Sequence, residues 1–131
     1  MERTGKLIAF LDTHVVIWLY DGLISKFSKK AIKIINQSDL FISPLVNLEI
    51  EYLYEAGKIN IKSSPVLASL SRTIGLKISD TSLAKIIEVA VSLDWARDPF
   101  DRMLVSEAYI RNAYFISKDK DIQKHYPLTV W

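Results

Sequence analysis

The 131-residue chain has no cysteine, which excludes disulfides and thiolate metal sites and fits a reducing cytoplasm. It has only four glycines and four prolines, and no linker, repeat or low-complexity tract is visible. No apolar run approaches the roughly 20 residues that span a bilayer, so no membrane partner is expected. The apolar run after MERTGK is too short for a signal peptide and lacks a small-residue cleavage site. Neither a Walker-type nor a G-x-G-x-x-G loop is present, which leaves nucleotide-binding loops unsupported. Charge of one sign is scarce as well. Seventeen Lys and Arg face 15 Asp and Glu, a net charge of +2. That is compatible with an anionic partner and does not by itself indicate one.

Half of the residues are hydrophobic and 24% are charged, the profile of a globular chain. The length suits one domain over residues 1–131 with a proper core. Short apolar runs at residues 6–12, 39–43, 76–79, 113–117 and 128–131 read as buried strands. Helical patterns separate them. One over 13–22 is closed by Gly22, and 28–38 is amphipathic. Ser43-Pro44 supplies a cap and a first-turn proline for a helix reaching Gly57. Further helices are expected over 65–75, over 81–94 behind a capping Asp80, and over 100–112, with a helical turn after Asp119. The alternation predicts an α/β fold of three layers, in which helices flank a central, mostly parallel sheet of four to five strands. Ligands in such folds bind beyond the carboxyl ends of the strands.

Four acids stand out at that edge. Asp12 ends the first strand, where a helix N-cap is the plain explanation and a site carboxylate the other. Glu49 has Leu45, Val46, Tyr52 and Leu53 as its helical neighbours, so an acid interrupts an apolar stripe; Glu51 reads as the solvated face. In RDPFDRMLV (97–105), Asp98-Pro99 is a helix start, with Asp101 as its third-position acid. Yet Leu104, Val105 and Ala108 flank Asp101, which turns it inward. Asp119 follows the fourth strand as Asp12 follows the first, and either it or Asp121 caps the next turn. Clustered carboxylates repel one another and call for a cation. All-oxygen ligation favours Mg²⁺ or Mn²⁺, with phosphoryl transfer as the usual chemistry. His14 and His125 are far apart and fit no metal or triad pattern; His14 reads as packing or support. Trp18, Trp95 and Trp131 read as core or interface anchors.

Those residues together resemble the PIN-domain family, and within it the VapC-type toxin ribonucleases of toxin–antitoxin modules. FLDTHVVIWL resembles the family's opening motif, a strand ending in Asp and then Thr or Ser. SPLVNLEIEYLYEAGKI resembles the second motif, RDPFDRMLVSEA the most specific one, and FISKDKDIQKHYPLTVW the closing one. The resemblance implies a Mg²⁺- or Mn²⁺-dependent endoribonuclease. It assigns metal-binding and catalytic roles to Asp12, Glu49, Asp101 and Asp119, and accessory roles to Asp98, Thr13 and Ser117. Arg97, Arg102 and Lys118, with Lys120, are candidates for contacting the RNA backbone. An antitoxin partner reaching the acidic groove and a homodimer are also implied. One departure is Ala96, where relatives with this stretch often carry His.

Two other classes compete. A PIN-like module that only binds RNA or protein would not need its acids intact. A phosphoacceptor domain would need an acid beside Asp12, where Thr13 and His14 stand, and an acid directly after the 76–79 strand other than a capping Asp80.

Overall fold

The structure, a computed structural model, describes residues 7–131. The first expected strand begins at residue 6, which lies outside the described residues. Within them the strand β1 is Leu7–Leu11, and helix α1 is Thr13–Tyr20. Helix α2 (Lys29–Gln37) leads to β2 (Ser38–Ile42), then α3 (Pro44–Glu55) and α4 (Ser63–Ile74). After β3 (Lys77–Ile78) come α5 (Leu83–Ala90) and α6 (Pro99–Arg111). The chain ends with β4 (Tyr114–Ile116), α7 (Lys120–His125) and β5 (Thr129–Val130).

Among the described residues the five strands form one sheet in the order β3-β2-β1-β4-β5, and every pairing is parallel. The expected sheet is thus present at its upper strand count. The chain steps from β1 through β2 to β3 in one direction, then crosses β1 to reach β4 and β5. Right-handed crossovers in opposite directions put helices on both faces. Strand order reverses at β1, so the carboxyl ends of β1 and β4 border the switch point. Phe10, Leu11, Ile42, Phe115 and Ile116 form the sheet's buried centre, and Val15, Val46, Ile50 and Leu104 pack onto it from the helices.

Local chemistry explains the helix ends. Ser28, Ser43, Asp98 and Asp119 each turn a side-chain oxygen onto a first-turn amide. Gly75 takes the left-handed conformation that closes α4, at φ 70°. Two expectations shift. Ser82, not Asp80, caps α5, by accepting from the Lys85 amide, and that helix ends at Ala90. Glu51 is not a solvated residue: it is half-buried and accepts hydrogen bonds from the Ser63 amide (3.0 Å) and hydroxyl (3.3 Å). It serves as the cap of α4, whose own Lys62 makes no side-chain cap bond.

Candidate active site

Asp12, Glu49, Asp101 and Asp119 come from four separate segments and line one cavity of about 450 Å³, together with Asp98. Asp12 stands just past β1 and accepts the Thr13 amide at 2.8 Å, which makes it the cap of α1. The capping explanation holds for this residue, which also lines the cavity. Its other oxygen accepts the Ser117 hydroxyl at 2.7 Å. Ser117, fully buried past β4, also accepts the Asp119 amide at 3.0 Å. One hydroxyl thus links the acids of two neighbouring strand ends. The Asp12 amide closes the same junction on the Ile116 carbonyl at 3.1 Å.

Thr13 is buried and donates its hydroxyl to Glu49 Oε1. This bond spans α1 and α3 and aims the Glu49 carboxylate. On α3, Val46 and Ile50 face the core while Tyr52 is 63% exposed. Glu49 therefore rides at the boundary of the apolar stripe, half-buried, rather than inside it. Asp119 caps α7 by accepting the Ile122 amide at 3.0 Å. Asp121 makes no such cap, so one acid both starts the helix and faces the cavity.

Asp98 accepts the Phe100 amide at 2.8 Å and begins α6. The helix start places Asp101 one turn in, half-buried against its apolar side. Burial pushes the Asp101 carboxyl up to about 7, and the charges of Asp98, Asp12, Asp119 and Glu49 add to the rise. Burial also raises Asp12. Hydrogen bonds from Ser117 and Thr13 and the nearby His14 pull it back, while Asp119 adds to the rise. Both shifts say that the cavity carries more negative charge than its surroundings solvate.

The basic residues separate. Lys118 lines the cavity and Arg97 lines an adjoining hollow. Lys120 is exposed at the start of α7. Arg102, also a candidate for the RNA backbone, is half-buried and already bonded within the chain. Its Nε donates to the Ala96 carbonyl at 2.7 Å and Nη1 reaches the Ala90 carbonyl at 3.5 Å. It ties α6 to the segment before it. His14 and Trp18 also form part of the cavity wall, so His14 is exposed rather than packed away. Trp18 meets Trp131 and Phe27 edge-on, as an anchor would.

A model of the PIN domain matches residues 9–127 of this sequence. The chain belongs to the PIN-domain family. Its members are nucleases that typically depend on a metal. The sequence is 28% identical over 131 residues to ribonuclease VapC22 of Mycobacterium tuberculosis, an alignment covering 92% of this chain and 96% of the relative. The PIN fold here is similar to that of VapBC2 from Rickettsia felis, bound to a promoter DNA fragment, with a TM-score of 0.69 and 17% identity. That match covers 95% of this chain and 98% of the other. A toxin–antitoxin complex from Klebsiella pneumoniae gives a TM-score of 0.63 at 17% identity, covering 94% and 96% of the two chains. DNA-bound VapBC from Salmonella typhimurium gives 0.60 at 18%, covering 95% and 97%.

The cavity acids supply an all-oxygen donor set, the kind that hard divalent cations take. Among the described residues no three of them are gathered into a closed ion-holding group as they stand. They border an open cavity instead. An ion there would complete its shell with water, as Mg²⁺ commonly does.

Proposed function

We propose that residues 1–131 form a single PIN-like domain acting as a Mg²⁺- or Mn²⁺-dependent endoribonuclease, the toxin of a toxin–antitoxin pair. One observation carries this reading: acids from four segments meet in one cavity at the switch point, where burial first and the charges of its neighbours second raise Asp101. Asp12, Asp101 and Asp119 would hold the metal, and Glu49 would hold a second ion or orient water. When bound, the metal neutralises charge at the phosphate and lowers the pKa of water. The chain's own residues prepare that chemistry. Ser117 fixes Asp12, Thr13 fixes Glu49, and Asp98 sets the start of the helix that presents Asp101. Lys118 on the wall and Arg97 beside it meet the phosphate backbone.

The partners follow from two surfaces. A groove of about 420 Å³ beside Glu49 combines Leu48, Tyr52 and Phe100 with Glu49, Glu55 and Asp98. An antitoxin segment with apolar and basic side chains fits it. Along α5 and its C-cap residue, Leu83, Ile87 and Val91 recur every four residues at 60%, 42% and 71% exposure. That stripe supports a homodimer. No described helix is long and apolar enough to cross a membrane, and the reading places the protein with its RNA in the cytoplasm.

The test is incubation of purified protein with structured RNA and Mn²⁺, with and without a chelator. Chelator-sensitive cleavage by wild type and none by Asp101→Asn is the expected result. Equal cleavage by both proteins, or none by wild type, removes the nuclease reading.

A further inference from the structure

A second hollow, of about 200 Å³, opens beside the acid cavity. Asp98, Asp101 and Asp119 belong to the walls of both, so the two adjoin. Beyond those shared acids its character changes: Trp95, Ala96 and Ile122 give it an apolar side, while Asp121 and Arg97 complete the wall. Trp95 is half-buried and packed against the core. Its ring lies parallel to that of His125, with centroids 4.7 Å apart and 4° between planes. His125 is in turn held through Nδ1, 2.9 Å from the Asp121 carbonyl oxygen. The aromatic wall is therefore fixed before anything binds, which lowers the cost of docking a flat ring against it. Ala96, whose side chain ends at Cβ, adds no polar group to that wall.

The charge of the hollow limits what can enter. Its shared acids and Asp121 repel phosphate and accept hydrogen bonds. A neutral, planar group carrying N–H donors fits all of these features; a sugar-phosphate does not. In an RNA strand crossing the acids, such a group is the base next to the phosphate being attacked.

We propose that the hollow between Trp95 and the first turn of α7 is a subsite for one nucleobase beside the scissile phosphate. The base rests against Trp95, and Asp121 accepts from its exocyclic amino group. Adenine, cytosine and guanine have such a group and uracil does not, so uracil is disfavoured at that position. Arg97, exposed on the rim, meets the adjoining phosphate. This inference rests on the ribonuclease reading of the neighbouring acids.

The experiment uses single-stranded RNA oligonucleotides with Mn²⁺, each lacking one base at successive positions around the cleavage point. For wild type, loss of the base at one adjoining position should lower kcat/KM about tenfold, within the range for stacking one base on an aromatic ring. Trp95→Ala should bring the intact-to-abasic ratio at that position close to one. Asp121→Asn, whose amide can donate to a carbonyl, should shift the preference at the same position toward uracil. If Trp95→Ala fails to fold by circular dichroism, the Asp121→Asn preference decides. A wild-type ratio retained by Trp95→Ala, or an unchanged preference in Asp121→Asn, overturns the subsite and leaves the nuclease reading standing. Absence of cleavage of every oligonucleotide while the structured RNA is still cut overturns the subsite alone; absence of cleavage of both kinds of RNA by wild type removes the nuclease reading with it.

Discussion

Asp101 and Glu107 share α6 and live in opposite surroundings. Asp101 is half-buried and opens on the cavity; burial pushes it up to about 7, and four other acids nearby add to the rise. Glu107 is wholly enclosed, accepts the Ser79 hydroxyl, and has no hydrogen-bond partner for Oε1 among the described residues. Depth therefore does not by itself mark a candidate site acid. A carboxylate at a cavity among like charges can trade a proton for a cation. One sealed in the core can only hold its neighbours in place. Each end of the comparison has its serine: Ser117 donates to Asp12 at the cavity, and Ser79 donates to Glu107 inside the core.

The sharpest break between the two is expected in catalysis. Asp101→Asn should cut metal-dependent RNA cleavage at least about a hundredfold, the scale for removing one group that stabilises the transition state. Glu107→Gln keeps an oxygen for Ser79 and should leave cleavage within about twofold, as expected of a residue off the reaction path. Initial rates on one RNA at saturating Mn²⁺ measure both. Comparable losses would put Glu107 into the site's support and erase the distinction.

The acids of the cavity were legible in the sequence because position and neighbours agreed. Asp12 and Asp119 follow short apolar strands, and Leu104, Val105 and Ala108 turn Asp101 inward. The neighbour test that marks Asp101 also marks Glu107, with Met103, Leu104 and Ile110 around it. Helical spacing reports that an acid faces inward; it does not report whether a cavity or a core lies there. The remaining differences have the same origin. Glu51 looks solvated on its own helix, and only the arrival of α4 gives it the Ser63 amide. Arg102 looks free until the segment before α6 folds back to offer the Ala96 and Ala90 carbonyls. Ser82 and Asp80 are both able to cap, and backbone geometry chose between them. The sheet order and the hollow beside Trp95 arise from contacts distant in sequence.

The two serines sharpen the comparison at a smaller scale. Ser117→Ala frees Asp12 from a 2.7 Å hydrogen bond and separates it from the Asp119 amide. Metal affinity should fall about tenfold, as for other groups that orient a ligand. Ser79→Ala leaves the buried Glu107 with no hydroxyl to accept from, which should cost about 1–3 kcal/mol of stability. Cleavage by the folded fraction should be nearly unchanged. Mn²⁺ titration and urea unfolding, run on both variants, separate the effects. If Ser79→Ala shifted metal affinity as much as Ser117→Ala does, the core and cavity acids would be coupled.

The smallest effect is a pH dependence in metal-free protein. Asp101 rises from 3.8 to about 7 on folding, so the folded state holds its proton more tightly than the unfolded chain does. Its contribution to stability is complete below about pH 4 and declines as pH rises, because the unfolded state then carries fewer protons. The decline levels off near pH 7. Asp12 moves in the same direction. Solvent around the half-exposed Asp101 reduces the size of the effect. Melting temperatures between pH 4.5 and 7.5 should fall more steeply for wild type than for Asp101→Asn. Adding Mg²⁺ should recover most of the wild-type loss at the upper end, because the ion binds the carboxylates whose charge is costly there through burial and mutual repulsion. Parallel profiles for the two proteins would show that the cavity acids do not strain one another. Asp101 would then lose the property that sets it apart from Glu107.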